Sequence, residues 1–282
     1  MNIEWYPGHM TKARRMMQDS LKLVDMVIEL VDARLPLSSR NPDIDTLAKG
    51  KERLIILNKA DMADPAVNKL WLKYYEDKGI PAITADSRNT SDIRKAKDMV
   101  LEAHAEKKAR DLKRGIKNRP VRAMIAGIPN VGKSTFINSF AGKASAKTGN
   151  RPGVTKGAQW ISVRKDIMLL DTPGLLWPKF DDQEIGKRLA IAGSINDNIL
   201  DMSELAADLL IILKEAYPGV ILDKYGVAED IPLEDMLTGI AEARKCIAKE
   251  GLPDIDKAAR LIIDDFRVVR LGRISLERPE LK

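Results

Sequence analysis

Cysteine and histidine are almost missing from this chain. A single cysteine, Cys246, among 282 residues excludes an internal disulfide framework and a multi-cysteine zinc site. It is expected as a buried helix residue. Histidine occurs twice, at His9 and His104. Long apolar runs are also missing. Stretches such as Leu209–Leu213 fall far short of the ~20 residues needed to span a bilayer, so no membrane contact is expected. Met1–Tyr6 shows no basic stretch followed by an apolar one, and no signal peptide is read there. No repeat or low-complexity tract is evident. A cytoplasmic protein fits these absences.

What is present has an ordinary globular balance, with 44% hydrophobic and 31% charged residues. The length suggests roughly two domains, at about 150 residues each. Charge is unevenly spread. Residues 101–170 hold 15 Lys/Arg against 4 Asp/Glu, whereas 201–282 come to −5. Some of the basic excess must face a polyanionic ligand, and the rest can meet nucleic-acid phosphates.

Apolar runs at 23–31, 53–57, 81–84 and 121–127 read as buried strands, and 158–163 with 167–171 as a hairpin. Helices are expected at 65–78, 91–114 and 133–140. Strands alternating with helices predict an α/β fold with a mostly parallel sheet. From 182 onward the pattern is helical, with breaks at Pro218-Gly219, Gly226 and Gly251-Leu-Pro253. In the last helix Ala258, Leu261, Ile262, Phe266 and Val269 share one face. Residues 1–180 are therefore read as one domain and 181–282 as a small all-α domain.

Gly127-Ile-Pro-Asn-Val-Gly132-Lys133-Ser134 matches the phosphate-binding pattern GxxxxGK[ST] between a strand and a helix. Glycines let successive N–H groups curl around phosphate oxygens, and the helix start adds its positive dipole end. Asn130, Val131, Gly132, Lys133, Ser134 and Thr135 are thus candidate phosphate contacts. Lys133 is assigned catalytically to the β- and γ-phosphates and Ser134 to Mg²⁺. Asp171-Thr-Pro-Gly174 is weak alone. Beside the phosphate loop it offers a metal-side carboxylate, Asp171, and a backbone N–H at Gly174 that senses the γ-phosphate. Arg151-Pro-Gly153-Val-Thr155 is placed as a switch segment, with Thr155 closing over the metal.

Asn58-Lys59-Ala60-Asp61 follows a buried strand. The Asp61 carboxylate can accept from guanine N1–H and its 2-amino group, and adenine would leave it unpaired. The Lys59 stem can cover the base, and Asn58 can brace the neighbouring loop. Thr84-Ala-Asp86-Ser87 matches a second guanine loop only loosely; an ordinary polar turn is the alternative. Leu175 stands where many GTPases place a water-orienting Gln, so that group must come from elsewhere. His9 is a candidate, against a structural or partner-contact role. His104 is expected to be solvated. Asn130 either helps hold a monovalent cation or is plain loop.

The motif order is inverted, because NKAD and the following loop precede the phosphate loop. Joining old termini and opening new ones at the surface leaves the sheet unchanged. Loss of the γ-phosphate is then expected to pass straight from DTPG into the helical region.

This permuted set, with Trp5-Tyr-Pro-Gly-His-Met-Thr-Lys-Ala, Val31-Asp-Ala-Arg34, Leu37–Pro42, Thr148–Thr155 and Leu175–Lys179, resembles the YlqF-type circularly permuted GTPases over nearly the whole chain. The resemblance implies a GTP-hydrolysing factor in large ribosomal subunit assembly. It would bind the subunit precursor, through rRNA and ribosomal proteins, in its GTP state and leave after ribosome-stimulated hydrolysis. It implies GTP/GDP and Mg²⁺ as ligands, K⁺ as an accelerator, His9 as a catalytic histidine and RNA binding by the helical domain. A monomer is expected when free. The rival reading is a nucleotide-responsive module with negligible turnover. The acidic helical domain would need a local basic face, such as Lys257, Arg260, Arg267, Arg270 and Arg273. Residues 107–119 are a better electrostatic candidate, or else a solvated helix face.

Overall fold

The computed structural model describes residues 10–116, 119–142, 159–172, 183–249 and 251–280. These divide into two compact units. One holds residues 10–172 with 277–280, and the other residues 183–276.

The first unit is built on a sheet. Among its described residues the elements are α1 (Met10–Lys22), β1 (Met26–Asp32), α2 (Asp43–Leu47), β2 (Glu52–Asn58), α3 (Pro65–Asp77), β3 (Ala82–Ala85), α4 (Thr90–Ala103), α5 (Ala105–Lys113), β4 (Val121–Ala126), α6 (Lys133–Ala141), β5 (Gln159–Arg164) and β6 (Ile167–Asp171). The strand order is β3-β2-β1-β4-β6-β5. All neighbours are parallel except β5 against β6. Every residue of β1 is buried, as a central strand covered on both faces requires.

Alternation along the strands sets two faces. On one, Val27, Met124, Ala126 and Leu170 pack with Met17 and Leu21 of α1. On the same face, Val31, Ile55 and Leu57 pack with Val67, Trp71 and Tyr75 of α3. Helix α4 lies against β2, β3 and α6. Pro65 opens α3 with Asp64 as its cap, so this start is set locally.

Parallel register brings the functional loops to one edge. Asp32 pairs with Asn58 and Asn58 with Ala85, so β1, β2 and β3 end side by side. Strand β4 runs into the phosphate loop beside them. The carboxyl ends of parallel strands are where such sheets bind ligands.

Two expectations change here. The single helix read over 91–114 is two, broken at His104, which caps both. His104, expected in solvent, is 3% exposed, and burial lowers its pKa below the ordinary imidazole value. A charged helix surface hid this, because the break turns that one position inward. Helices α1 and α2 were not read from the sequence at all.

The second unit is helical: α7 (Gln183–Ile191), a 3₁₀ turn (Asp197–Ile199), α8 (Met202–Ala216), α9 (Val220–Tyr225), α10 (Leu233–Ala243) and α11 (Ile255–Arg267). Helices α8 and α11 form its main pair, with Leu205, Leu209 and Leu213 buried on one and Ala258, Ile262 and Phe266 on the other. Gly219 and Gly226 are left-handed at the two ends of α9. Cys246 is buried as expected, but in the turn after α10 rather than inside a helix. The basic face proposed for this unit is thinner than the sequence suggested. Arg267 is spent on Asp197 and on the carbonyls of Ile191 and Ala190. Arg270 neutralises the buried Asp265 at 3.0 Å.

Candidate functional site

The phosphate loop turns sharply out of β4. Gly132 has φ +92°, and a Cβ there would collide with the side-chain amide of Asn58, so glycine is required twice over. Asn130 is also left-handed, at φ 60°, which its short polar side chain tolerates. Val131 is fully buried, Ser134 half-buried and Thr135 exposed.

Lys133 opens α6 directly after Gly132. Its ammonium lies 3.8 Å from Asp171 Oδ1 and donates to the Thr172 carbonyl. Burial pulls Lys133 down to about 8, with Asp171 opposing. Burial likewise raises Asp171 above the usual carboxylate value, against the pull of Lys133. Asp171 is 1% exposed, yet neither of its oxygens has a hydrogen-bond partner among the described residues. A buried carboxylate left this way is costly unless a cation or donor arrives. The Asp171 carboxylate and the hydroxyl of Ser134, the residue after Lys133, are hard oxygen donors of the kind Mg²⁺ takes, so these residue types fit that ion. Thr172 Oγ1 donates to the Ile125 carbonyl at 2.8 Å and pins the end of β6 to β4.

Asn58 joins the two halves of the site. Its Nδ2 donates to the Val131 carbonyl at 2.8 Å. Its Oδ1 accepts from Ser87 Oγ at 2.5 Å and from Ser87 N at 3.2 Å. One side chain thus ties the NKAD loop to the phosphate loop and to the loop after β3. Ala60 N donates to the Ala85 carbonyl at 3.1 Å, a second tie between the same loops.

Asp61 presents a free acceptor. Its Oδ1 is buried without a hydrogen-bond partner among the described residues, while Oδ2 takes Arg88 at 2.6 Å. Arg88 also reaches Asp86 Oδ1 at 3.1 Å. Asp86 therefore faces Arg88, and Ser87 is a buried brace on Asn58.

Lys59 is held in the left-handed region at φ 59°, and its ammonium is 2.8 Å from Asp32 Oδ2. Arg34 grips the same carboxylate through Nε at 2.9 Å and Nη2 at 2.8 Å. Burial works to raise Asp32, but Arg34 and Lys59 overcome it and hold the carboxyl far below its ordinary value. Ser39 Oγ accepts from Asp32 N at 2.9 Å and donates to the Leu35 carbonyl. Sequence reasoning gave Asp32, Arg34 and Ser39 no role. The available signal was a carboxylate at the end of a buried strand with an arginine two residues on, where a buried charge must be paired.

His9, Thr155, Gly174 and Leu175 lie outside the described residues, as does the whole 151–155 switch segment. The described residues bring together Asn58, Ser87, Val131 and Gly132 on one side, and Lys133 with Asp171 on the other.

A family described as 50S ribosome-binding GTPase matches residues 122–238. The match opens in β4 and leaves out Asn58–Asp61, which precede it in this chain. Ribosome biogenesis GTPase A from Bacillus cereus is 46% identical over 99% of this chain and 95% of its own length. Mitochondrial ribosome-associated GTPase 1 from Mus musculus is 32% identical over 97% of this chain and 90% of its own length. In structure, GNP-bound YlqF from T. maritima superposes with a TM-score of 0.66 at 28% identity, over 95% of this chain and 99% of that one.

Proposed function

Since the chain belongs to the ribosome biogenesis GTPase A family and is a GTPase, we propose that it binds the large ribosomal subunit precursor in its GTP state and leaves after particle-stimulated hydrolysis. The observation that carries this reading is Asn58, which fastens the guanine-side loops to the phosphate loop. Despite the inverted motif order, the nucleotide meets a single braced site.

In this reading the base rests between the Lys59 stem and the Asp61 carboxylate. Lys133 crosses from Asp171 to the β- and γ-phosphates once they enter. Ser134, Asp171 and Thr155 would hold Mg²⁺, which would supply charge neutralisation at the phosphates. The Gly174 N–H senses the γ-phosphate, and His9 orients the attacking water. K⁺ near Asn130 accelerates turnover. The free protein is a monomer in the cytoplasm. Contacts to rRNA run through the basic stretch 107–119, supported by helix α5, which buries none of its residues. Among the described residues no helix is long and apolar enough to cross a membrane.

GTP turnover in potassium buffer, with and without purified large subunits, tests this on wild type and His9→Ala. The expected outcome is strong stimulation by the particle in wild type and its loss in the variant. Binding without any stimulation would instead favour a non-hydrolysing module. Stimulation kept in His9→Ala would remove His9 from the machinery.

A further inference from the structure

The last described residues return to the nucleotide-binding unit and grip it in two places. The Glu277 carboxylate is buried and accepts from Leu37 N, from Ser38 N at 3.1 Å and from Ser38 Oγ at 2.6 Å. The Glu277 carbonyl accepts from Trp71 Nε1 at 3.4 Å. A carboxylate taking several N–H and O–H donors is a strong, orienting anchor.

Both elements it grips flank the guanine loop. The 35–39 turn follows β1, and its next residue, Ser39, holds the backbone of Asp32. Asp32 in turn holds the ammonium of Lys59 at 2.8 Å. Trp71 is on α3, which leaves the same loop a few residues after Asp61 and packs against Val31 and Leu57 at the ends of β1 and β2. Glu277 is thus linked to Lys59 in steps: by hydrogen bonds to Ser38, through the backbone to Ser39, by the Ser39 hydroxyl to the Asp32 N–H, and by the Asp32 carboxylate to the Lys59 ammonium.

We propose that Glu277 is a positioning residue for nucleotide binding, acting through the 35–39 turn and Asp32 to fix Lys59 over the base. Lysine has a flexible four-carbon stem, and a stem held in place before the base arrives loses less freedom on binding. Glu277 is then part of the guanine site's framework. This rests on the reading of Lys59 and Asp61 as base contacts.

The test is a double-mutant cycle on GDP affinity in the full chain, with turnover at saturating GTP measured alongside. Glu277→Ala is expected to raise the GDP dissociation constant roughly fivefold to tenfold, a coupling typical of residues in one network, and to leave saturated turnover unchanged. In a Lys59→Met background, which keeps a stem without the ammonium, the same change is expected to matter by less than about twofold. Equal factors in both backgrounds, or no change in the first, would overturn the proposal. Ser38→Ala removes one of the three donors and carries the same cycle if Glu277→Ala folds poorly. Asp61→Ala separates the premise: retained GDP binding there would remove the guanine assignment itself, and the proposal with it.

Discussion

Lys133 is caught between two environments. Burial holds its proton loosely, with a pKa pulled down to about 8, and Asp171 opposes this. Incoming phosphates add negative charge and raise the value in the complex. The charged ammonium is what binds, so affinity is complete below the free value. It declines as pH rises through about 8, by at most about one decade per pH unit. GDP titrations between about pH 6.5 and 9 should bend downward near 8, and Lys133→Met should bind weakly with no bend. A flat wild-type profile would contradict the assignment. Asn58 makes a second residue-scale claim. Asn58→Ala leaves the Val131 carbonyl and Ser87 N without their partner. Each unpaired buried group costs about 1–3 kcal/mol. The expected result is at least about tenfold weaker binding of GDP and GTP alike, by nucleotide titration, because the brace lies away from the γ-phosphate. Loss of thermal stability with affinity unchanged would reduce Asn58 to a structural part.

At the scale of elements, the strands and the helix breaks marked by glycine or proline, at Pro218-Gly219, Gly226 and Gly251–Pro253, were legible, and the unmarked break at His104 was not. Apolar runs located β1, β2 and β4, and Asp64-Pro65 announced α3. The break at His104 has no glycine or proline to mark it. Helix α1 was missed because its arginines and lysines read as polar chain, although Met17 and Leu21 are buried. Helix α5 has no buried side chain, and Lys108, Arg110 and Lys113 are all exposed. Lys107 is held by Asp25, and Arg119 reaches the same carboxylate. If α5 meets RNA phosphates, Lys108→Ala with Lys113→Ala should weaken binding to large subunits. It should also flatten the salt dependence by about one unit of slope per lysine, with GDP affinity unchanged. Subunit binding measured across a salt series checks this. An unaltered slope would leave α5 a solvated surface.

For the whole molecule, local chemistry and long-range contact divide the information. The sequence by itself determined the motif types and their inverted order. A loop that wraps phosphate needs Gly127, Gly132 and Lys133 in a fixed local spacing, and NKAD and DTPG are each four consecutive residues. It also determined the alternation of strand and helix followed by a helical region, because hydrophobic periodicity is local. Only the tertiary structure decided which side chains lock the loops together. Asn58 and Val131 are 73 residues apart, and Ser38 and Glu277 are 239 apart. No periodicity or spacing encodes such pairs. They exist because parallel register lays the ends of β1, β2 and β3 side by side and Glu277 returns to the turn after β1, so buried polar groups find their partners across the fold.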